Sequence, residues 1–379
     1  MAYDKIVDSA KLDNALRASA NALRAKTSGT GEINFDLANE TGFSETIINL
    51  PTGGGDDILD KLIEERRAEI TSNAMKIRDY AFYNYNVLHT ANFPLATLIG
   101  LYAFQSCDNL ETVNIPLAAE IEAYAFQKCP KLTTIDFPLV TSIGNYAFYQ
   151  CGNLETANLP SVTSIGSYAF DDCQNLTTVD FPSVTSIGDY AFADCNRLTA
   201  VSFPLATSIG TYAFSYCTLL EIVNLPLVTS IGGAAFQSCS SITTIAFPSA
   251  TSINGAVFQS CINLKTVDFP LITTIGINVF SKCYSLATLI LRSETMATLN
   301  NTNAFTNCYH FYGTTNTNYN PTGAKDGYIY VPRALLSDTD ETKDYRRATN
   351  WSTLATQFRA LEDYTIDGTI TGELDPNKI

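Results

Sequence analysis

Histidine, tryptophan and positive charge are scarce in this chain of 379 residues. It holds two histidines, one tryptophan and 23 Lys and Arg residues against 38 Asp and Glu residues, for a formal net charge of −15. Because an acidic surface repels the phosphates of nucleic acids, we expect no nucleic-acid partner. No run of about 18 or more apolar residues occurs, so no transmembrane helix and no membrane insertion are expected.

Catalytic motifs are also missing. His89 and His310 lie far apart in the sequence, and no HExxH, G-x-S-x-G or phosphate-binding glycine loop is present. The stretch PTGGGDD at 51–57 lacks the lysine of a P-loop and is interpreted as a hinge. Asp171 and Asp172 are adjacent carboxylates, but they lie in a variable segment and are expected to be solvated. The sequence predicts no enzyme activity, no cofactor and no metal site.

What the sequence has in abundance is a repeat. Phenylalanine recurs every 22 residues, and one more phenylalanine follows after 25 residues. This period indicates a solenoid, in which each unit forms one turn and buries its apolar side against its neighbours. The series comprises Phe82, Phe104, Phe126, Phe148, Phe170, Phe192, Phe214, Phe236, Phe258, Phe280 and Phe305.

Each repeat combines a strand pattern with a return segment. In QNLTTVDFPSV, alternation places Leu176, Val179 and Phe181 inward, as in a half-buried strand. Pro182 has no N–H for the ladder and is expected to end the strand. Gly188 is expected to allow a sharp corner, and the following YAF segment to form a short helical or irregular return.

The phrase IGxYAFxxCxxLxxVxFP resembles the BspA-like, or Treponema pallidum type, of bacterial leucine-rich repeat over residues 72–310. The resemblance implies an α/β repeat fold, a right-handed solenoid of about eleven 22-residue turns with short parallel strands. Asn254 stands where glycine is usual, and Val257 and Val279 replace alanine. We therefore expect the C-terminal end of the coil to be less regular.

All ten cysteines occupy one position, three residues after the phenylalanine of the turn. Disulfides between neighbouring turns or metal thiolates are the functional alternatives, but paired spacings such as C-x₂-C do not occur. The pattern favours a ladder of small buried side chains. The column comprises Cys107, Cys129, Cys151, Cys173, Cys195, Cys217, Cys239, Cys261, Cys283 and Cys308.

Two outward columns supply the candidate ligand-binding residues. The first is a mainly Asn and Asp column on the strands, which can hydrogen-bond a glycan or a protein, or can simply keep the face soluble. Its candidate residues are Asn92, Asn114, Asp136, Asn158, Asp180, Asn224 and Asp268. The second is a tyrosine column that either binds ligands through its rings or forms a structural ladder. Its candidate residues are Tyr102, Tyr124, Tyr146, Tyr168 and Tyr190, flanked by Tyr80 and Tyr212. Because near-uniform columns are typical of architecture, the structural interpretation is favoured for both.

The ends of the chain suggest additional units. Residues 1–54 are interpreted as an attachment or oligomerisation domain with a helix at 9–26 and a hinge, and 55–71 as a helical cap. Residues 311–379 are interpreted as an α/β cap with a strand, a helix near 341–348, a second helix and a polar tail at 368–379. Trp351 is expected to pack inside this cap.

The N-terminal sequence KLDNALRASANALRAKTSGTGEINFDLANETGF is similar to the N-termini of phage and prophage structural proteins from gut bacteria, and no Sec-type signal peptide is visible. This resemblance implies a tail-associated virion component, assembled in the host cytoplasm. Residues 1–54 would contact other virion proteins or form a trimer, and the solenoid would bind a protein or glycan on a cell surface. The alternatives are a bacterial cell-surface or secreted BspA-like adhesin and a structural spacer without a ligand.

Overall fold

The computed structural model of the protein describes residues 68–337, 339–340, 343–363, 365–366 and 369–370. The predictions for residues 1–54 and for most of the 55–71 cap lie outside these ranges. About ten turns of 22 residues, followed by a longer one, form a parallel-strand solenoid, as the repeat predicts. Within the described ranges, no helix combines the length and the hydrophobicity that a bilayer crossing demands.

The first strand of each turn builds one side of the solenoid, which we call the strand face. Each three-residue strand points its middle side chain inward and its first and third side chains outward. These strands are β1 (Glu69–Thr71), β3 (Thr90–Asn92), β5 (Thr112–Asn114), β7 (Thr134–Asp136), β9 (Thr156–Asn158), β11 (Thr178–Asp180), β13 (Ala200–Ser202), β15 (Ile222–Asn224), β17 (Thr244–Ala246), β19 (Thr266–Phe269) and β21 (Thr288–Leu291).

A second, two-residue strand follows in each turn and builds another parallel sheet. Its isoleucine or leucine points into the core in every turn. These strands are β2 (Lys76–Ile77), β4 (Leu98–Ile99), β6 (Glu120–Ile121), β8 (Ser142–Ile143), β10 (Ser164–Ile165), β12 (Ser186–Ile187), β14 (Ser208–Ile209), β16 (Ser230–Ile231), β18 (Ser252–Ile253), β20 (Thr274–Ile275) and β22 (Thr298–Leu299). Partners are 22 residues apart, as Ser164 and Ser186 are, up to β20.

The core is a stack of phenylalanine rings along the axis of the solenoid. Every phenylalanine of the 22-residue series is fully buried. Phe148 stacks on Phe170 at 5.1 Å between ring centroids, and Phe170 stacks on Phe192 at 5.2 Å. Each turn therefore buries its apolar side against the turns before and after it, and the sequence-based assignment of the core is confirmed.

The chain turns directly after β12, where the Ala191 N–H donates to the carbonyl oxygen of Gly188 at 3.3 Å. The positive φ of this turn belongs to Tyr190, at 56°, and not to Gly188. Glycine is required at 188 by contact instead, because a Cβ built there would lie 2.6 Å from the backbone nitrogen of Ser167 in the preceding turn. The return after Tyr190 is irregular rather than helical.

The two sheets are interrupted at different places. On the strand face, pairing stops between β5 and β7, between β11 and β13, and between β15 and β17. The second sheet runs unbroken from β2 to β16 and begins again at β18. Among the described turns, both sheets stop together only between the turn of β15 and β16 and the turn of β17 and β18. This place is called the joint below.

The C-terminal cap extends the strand face. It contains β23 (Tyr328–Val331) and β24 (Phe358–Ala360), which pair with β21 and with each other, the hairpin β25 (Thr365–Ile366) and β26 (Thr369–Ile370), and α1 (Tyr309–Tyr312). Its 3₁₀ turns are Thr302–Phe305, Arg333–Leu335, Ser352–Gln357 and Leu361–Asp363.

The packing of the cap bears on four of its predictions. The predicted terminal strand is β23, and Trp351 is buried, with its Nε1 donating a hydrogen bond to the carbonyl oxygen of Ala297 at 2.8 Å. The predicted helix near 341–348 is wrong, because Asp344 bridges to Leu336 as extended backbone and its carboxylate binds Arg346. The predicted second helix is the 3₁₀ turn Ser352–Gln357.

Candidate functional site

The Asn and Asp column forms a ladder along the strand face. Asn114 Nδ2 donates to Asn92 Oδ1 at 2.8 Å, and Asn158 Nδ2 donates to Asp136 Oδ1 at 2.9 Å. The parallel register brings these side chains together, because each strand repeats its residue types one turn later. Their amide donors are therefore already partly used within the protein, which fits the structural interpretation of the column.

The column changes character toward the C-terminal end. Asn224 Nδ2 donates to Ser202 Oγ at 2.9 Å, and Asp268 accepts three hydrogen bonds from Arg292 at 2.8–3.1 Å. The sequence did not link Arg292 to Asp268, because the two lie 24 rather than 22 residues apart. Asp180 belongs to β11, but its side chain lies outside what the structure describes.

The tyrosine column is a continuous ladder of stacked rings. Neighbouring centroids lie 4.6–4.8 Å apart from Tyr80 to Tyr212. Each interior ring is covered on both faces by its neighbours, so a sugar cannot stack on those faces. Desolvation and the neighbouring Tyr146 hydroxyl raise the pKa of Tyr168 to about 12. The ladder presents ring edges and neutral hydroxyls, and this surface fits an architectural role better than sugar stacking.

The cysteine column is buried throughout. All ten thiols are free, and each donates to the carbonyl oxygen of a core phenylalanine, as Cys173 Sγ does to Phe148 at 3.2 Å. Burial raises the pKa of each thiol for which a shift is resolved, including Cys261, whose pKa lies at about 12. The thiols are therefore neutral packing groups, in agreement with the buried ladder that the sequence favoured.

Asp171 departs from the expectation of a solvated pair. Its side chain is half-buried, and burial, followed by the charges of Asp194 and Asp172, raises its pKa to about 7. Asp172 accepts hydrogen bonds from Gln174 Nε2 at 2.8 Å and Gln150 Nε2 at 3.3 Å. The sequence could not show the raised pKa, since Asp194, which acts on Asp171 together with burial, belongs to the next turn.

We expect Asp171→Asn to stabilise the protein at neutral pH. Because the folded pKa lies above the ordinary value near 4, the wild type loses stability as pH rises from about 4 to about 7. The asparagine variant lacks this loss, so its advantage should be small at pH 4 and about 1 kcal/mol at pH 8, allowing for solvent screening. Urea unfolding at both pH values measures the difference. The exposed Asp108→Asn variant is the control, and an advantage of Asp171→Asn that is independent of pH would contradict the assignment.

The strand face carries a groove at the joint. Two residues of the Asn and Asp column, Asn224 and Asp268, line it, and the other lining residues are candidates of neither column. It measures about 510 Å³ and is lined by residues of three consecutive strand-face turns. Ile222, 62% exposed, replaces the threonine of other turns, and Ala246 replaces the Asn or Asp. These two breaks in the columns lie in the groove, although Ala200 and Ser202 break the same columns in β13 outside its lining. The lining is Glu221, Ile222, Val223, Asn224, Leu225, Pro226, Thr244, Ile245, Ala246, Pro248, Thr266 and Asp268.

The two histidines lie in different parts of the structure. His89 Nδ1 lies 3.4 Å from Glu111 Oε1, whereas His310 lies near the cap, with its Nδ1 2.7 Å from Asp326 Oδ1. In the part of the chain that the structure describes, no three His, Cys, Asp or Glu side chains are grouped as a metal ion requires. The strand face thus offers hydrogen bonds, apolar contact and one groove.

Comparisons with known proteins agree with this geometry. The profile of the BspA type leucine-rich repeat region matches six copies that span residues 60–177, 119–226, 141–257 and 185–312. No curated protein sequence matches the chain.

Three solved structures illustrate the similarity. A leucine-rich repeat protein of T. pallidum is 28% identical over 45% of this chain and 79% of its own, with a TM-score of 0.38. A leucine-rich cell surface protein of Faecalibacterium prausnitzii is 26% identical over 60% and 79%, with a TM-score of 0.34. A leucine-rich repeat protein of Bacteroides ovatus is 20% identical over 75% and 87%, with a TM-score of 0.40.

Proposed function

Because this chain belongs to the BspA-type leucine-rich-repeat family, we propose that it is a non-enzymatic recognition protein whose strand face binds another protein. The observation that carries the proposal is the groove at the joint, where the exposed Ile222 and the half-buried Val223 present aliphatic surface among polar side chains. An exposed apolar patch surrounded by polar side chains is typical of protein–protein contact. A glycan partner is less well supported, since the groove has no aromatic lining and the interior tyrosine rings are covered by each other.

The nature of the partner is tested by binding the labelled full-length chain to intact bacterial and epithelial cells. We expect that pretreating the cells with protease abolishes binding and that periodate oxidation of their glycans leaves binding unchanged. Binding that is lost with periodate and retained after protease would overturn the proposal in favour of a glycan partner. A chain that binds neither untreated cell type would instead fit the alternative of a structural spacer.

The setting in which the protein works is a separate proposal. A tail-associated virion component, attached through residues 1–54, is supported by the N-terminal resemblance to phage and prophage structural proteins. A bacterial cell-surface or secreted adhesin is the alternative, and it follows from the role usually suggested for BspA-like repeats. Proteomic analysis of purified induced particles and of washed, uninduced cells separates the two. Enrichment in particles is expected for the first, and repeated absence from particles with presence on cells would overturn it.

A further inference from the structure

At the joint the second sheet is interrupted where residue 254 is asparagine rather than glycine. In the other turns a backbone N–H donates to the preceding isoleucine carbonyl, as Gly232 does to Ile209 at 2.8 Å and Gly276 does to Ile253 at 2.9 Å. At Asn254 the side chain makes this bond instead, with Nδ2 2.8 Å from the carbonyl oxygen of Ile231. A side-chain bond therefore takes the place of the backbone bond that glycine makes at this position in the neighbouring turns.

The valines of the late turns do not explain the joint. Phe236 and Phe258 are 5.9 Å apart across the joint, and Phe258 and Phe280 are 5.8 Å apart across the next interface. Both interfaces carry valine in place of alanine, at Val257 and Val279. At the second interface β17 still pairs with β19 and β18 with β20. The wider ring spacing is therefore compatible with intact sheets. Asn254 accompanies the break in the second sheet, whereas the strand face also stops before β7 and β13, whose turns keep Gly144 and Gly210.

The return side of the solenoid remains hydrogen-bonded across the joint. Ala234 N–H donates to Gly255 O at 2.9 Å, and Ser238 N–H donates to Gln259 O at 2.8 Å. The two turns are thus held together on this side, while both sheets are unpaired on the others. The groove follows from this geometry, because its lining comes from the turns on either side of the joint.

The chemistry of the groove selects its occupant. Ile222, Val223 and Ile245 supply aliphatic surface, and Glu221 adds an exposed carboxylate. Asp268 also lines the groove, but its charge is paired with Arg292. No lysine or arginine lines the groove among the described residues. An aliphatic side chain fits the apolar wall, and a neighbouring cation complements Glu221.

We propose that the groove binds an exposed protein segment in which an aliphatic side chain neighbours a lysine or arginine. The inference rests on the proposed recognition function and adds to it the place and the chemistry of the contact. Asn254 is absent from the lining. It has a positioning role in this proposal, because its side-chain bond to Ile231 takes the place of the backbone bond of the other turns and leaves β16 and β18 unpaired beside the groove.

Asn254→Gly tests the proposal without altering any lining residue. The variant reads IGGAVF, close to the IGGAAF of the preceding turn at 231–236, so it is expected to fold with β16 and β18 paired across the joint. Ile222→Thr removes the apolar contact and restores the threonine of the other turns. Ile277→Thr is the matched control, because Ile277 is 53% exposed and lies outside the groove lining.

The probe is a displayed library of random dodecapeptides selected on the full-length wild-type chain. We expect the enriched peptides to pair aliphatic with basic residues and to bind Asn254→Gly and Ile222→Thr about tenfold more weakly. Ile277→Thr should bind them as the wild type does, and Glu221→Gln should weaken the preference for the basic residue.

Peptides that bind the wild type and Asn254→Gly equally, an enrichment of acidic peptides, or no enrichment would each overturn the groove proposal. Protease-sensitive binding to cells would still support protein recognition in those cases. Protease-resistant binding to cells would instead overturn the recognition proposal itself, so the two failures are distinguishable.

Discussion

Phe170→Ala is expected to lower the free energy of unfolding by about 3–5 kcal/mol, the usual cost of emptying a phenylalanine site in a core. Phe170 is fully buried and stacks between Phe148 and Phe192 at 5.1 and 5.2 Å. Phe181 contacts it from the same turn, with its ring centroid 5.8 Å away. No neighbouring ring can fill the cavity without leaving its own place in the stack.

The position of Phe170 also predicts how the variant unfolds. In a solenoid each turn contacts only its neighbours, so a weak turn in the middle uncouples the two ends. The tyrosine ladder reports on the N-terminal part, from Tyr80 to Tyr212, and Trp351 reports on the cap. We expect near-UV circular dichroism of the tyrosines to change at a lower urea concentration than Trp351 fluorescence.

The control for Phe170→Ala is another aromatic residue outside the core. Tyr216 is 46% exposed, so Tyr216→Ala should change stability by no more than about 0.5 kcal/mol. Both variants remove an aromatic ring, and only one removes it from the stack. Equal urea midpoints for the two variants would contradict the assignment of the phenylalanine stack as the main core.

Gly210→Ala is expected to destabilise the protein by about 2 kcal/mol, because the added methyl group meets backbone rather than a movable side chain. A Cβ at residue 210 would lie 2.4 Å from the carbonyl carbon of Gly188 and 2.5 Å from the nitrogen of Asp189. Gly232 approaches Gly210 in the same way from the following turn. The backbone cannot retreat without disturbing the bond from Gly210 N–H to Ile187 O at 2.9 Å.

The same substitution at Gly152 provides a matched control. A Cβ at that position would have nothing within 4 Å, and Gly152 does not have a positive φ. Gly152→Ala should therefore be neutral or slightly stabilising, because alanine reduces the conformational freedom of the unfolded chain. Thermal and urea unfolding followed by far-UV circular dichroism measure both variants. Similar losses in both would show that the glycine column is not held by close approach between turns.

Some turns of the protein have a residue other than glycine at this position, and two of them show why the expected loss of stability in Gly210→Ala is moderate. Glu122 occupies the equivalent place in an earlier turn and keeps its backbone bond to Ile99 at 3.0 Å. Asn254 loses that backbone bond and replaces it with its side chain. The coil therefore accepts a side chain at this place when the backbone adjusts. The run of glycines around Gly210 has no such adjustment.

Much of the fold was predictable because it depends on a period. The inward phenylalanines and cysteines follow from their places in the repeat, since identical turns must bury the same positions. The lower regularity expected at the C-terminal end of the coil is found in the second sheet, which breaks between β16 and β18. It is not found on the strand face, where β17 to β24 form the longest unbroken sheet. The helix predicted near 341–348 is not found over 344–348. That region lies outside the repeat, and its conformation depends on the bridge between Asp344 and Leu336 and on the contact of Trp351 with Ala297.

The site was less predictable because it depends on contacts between turns. The Asn, Asp and tyrosine columns were visible in the sequence, but their hydrogen bonds and ring stacking were not. Either the backbone nitrogen or the side-chain nitrogen of Asn254 could bond the carbonyl oxygen of Ile231. The side-chain nitrogen does so in the structure, and the sequence alone does not show this. The role of the candidate column residues as ligand contacts stays a prediction. Peptides from the library that bind outside the groove would test it.

By itself, the sequence determined the length of the turn, the side of each strand that enters the core and the alignment of like residues in columns. A regular period is sufficient for these features, because stacking equal turns leaves one register that buries every phenylalanine. The tertiary structure decided which residue of the turn takes the positive φ, Tyr190, and where the sheets part. It also decided the raised pKa of Asp171, because that carboxyl is half-buried and lies in the field of Asp194 of the next turn. These outcomes depend on distances of a few ångströms between turns, which spacing along the chain does not encode.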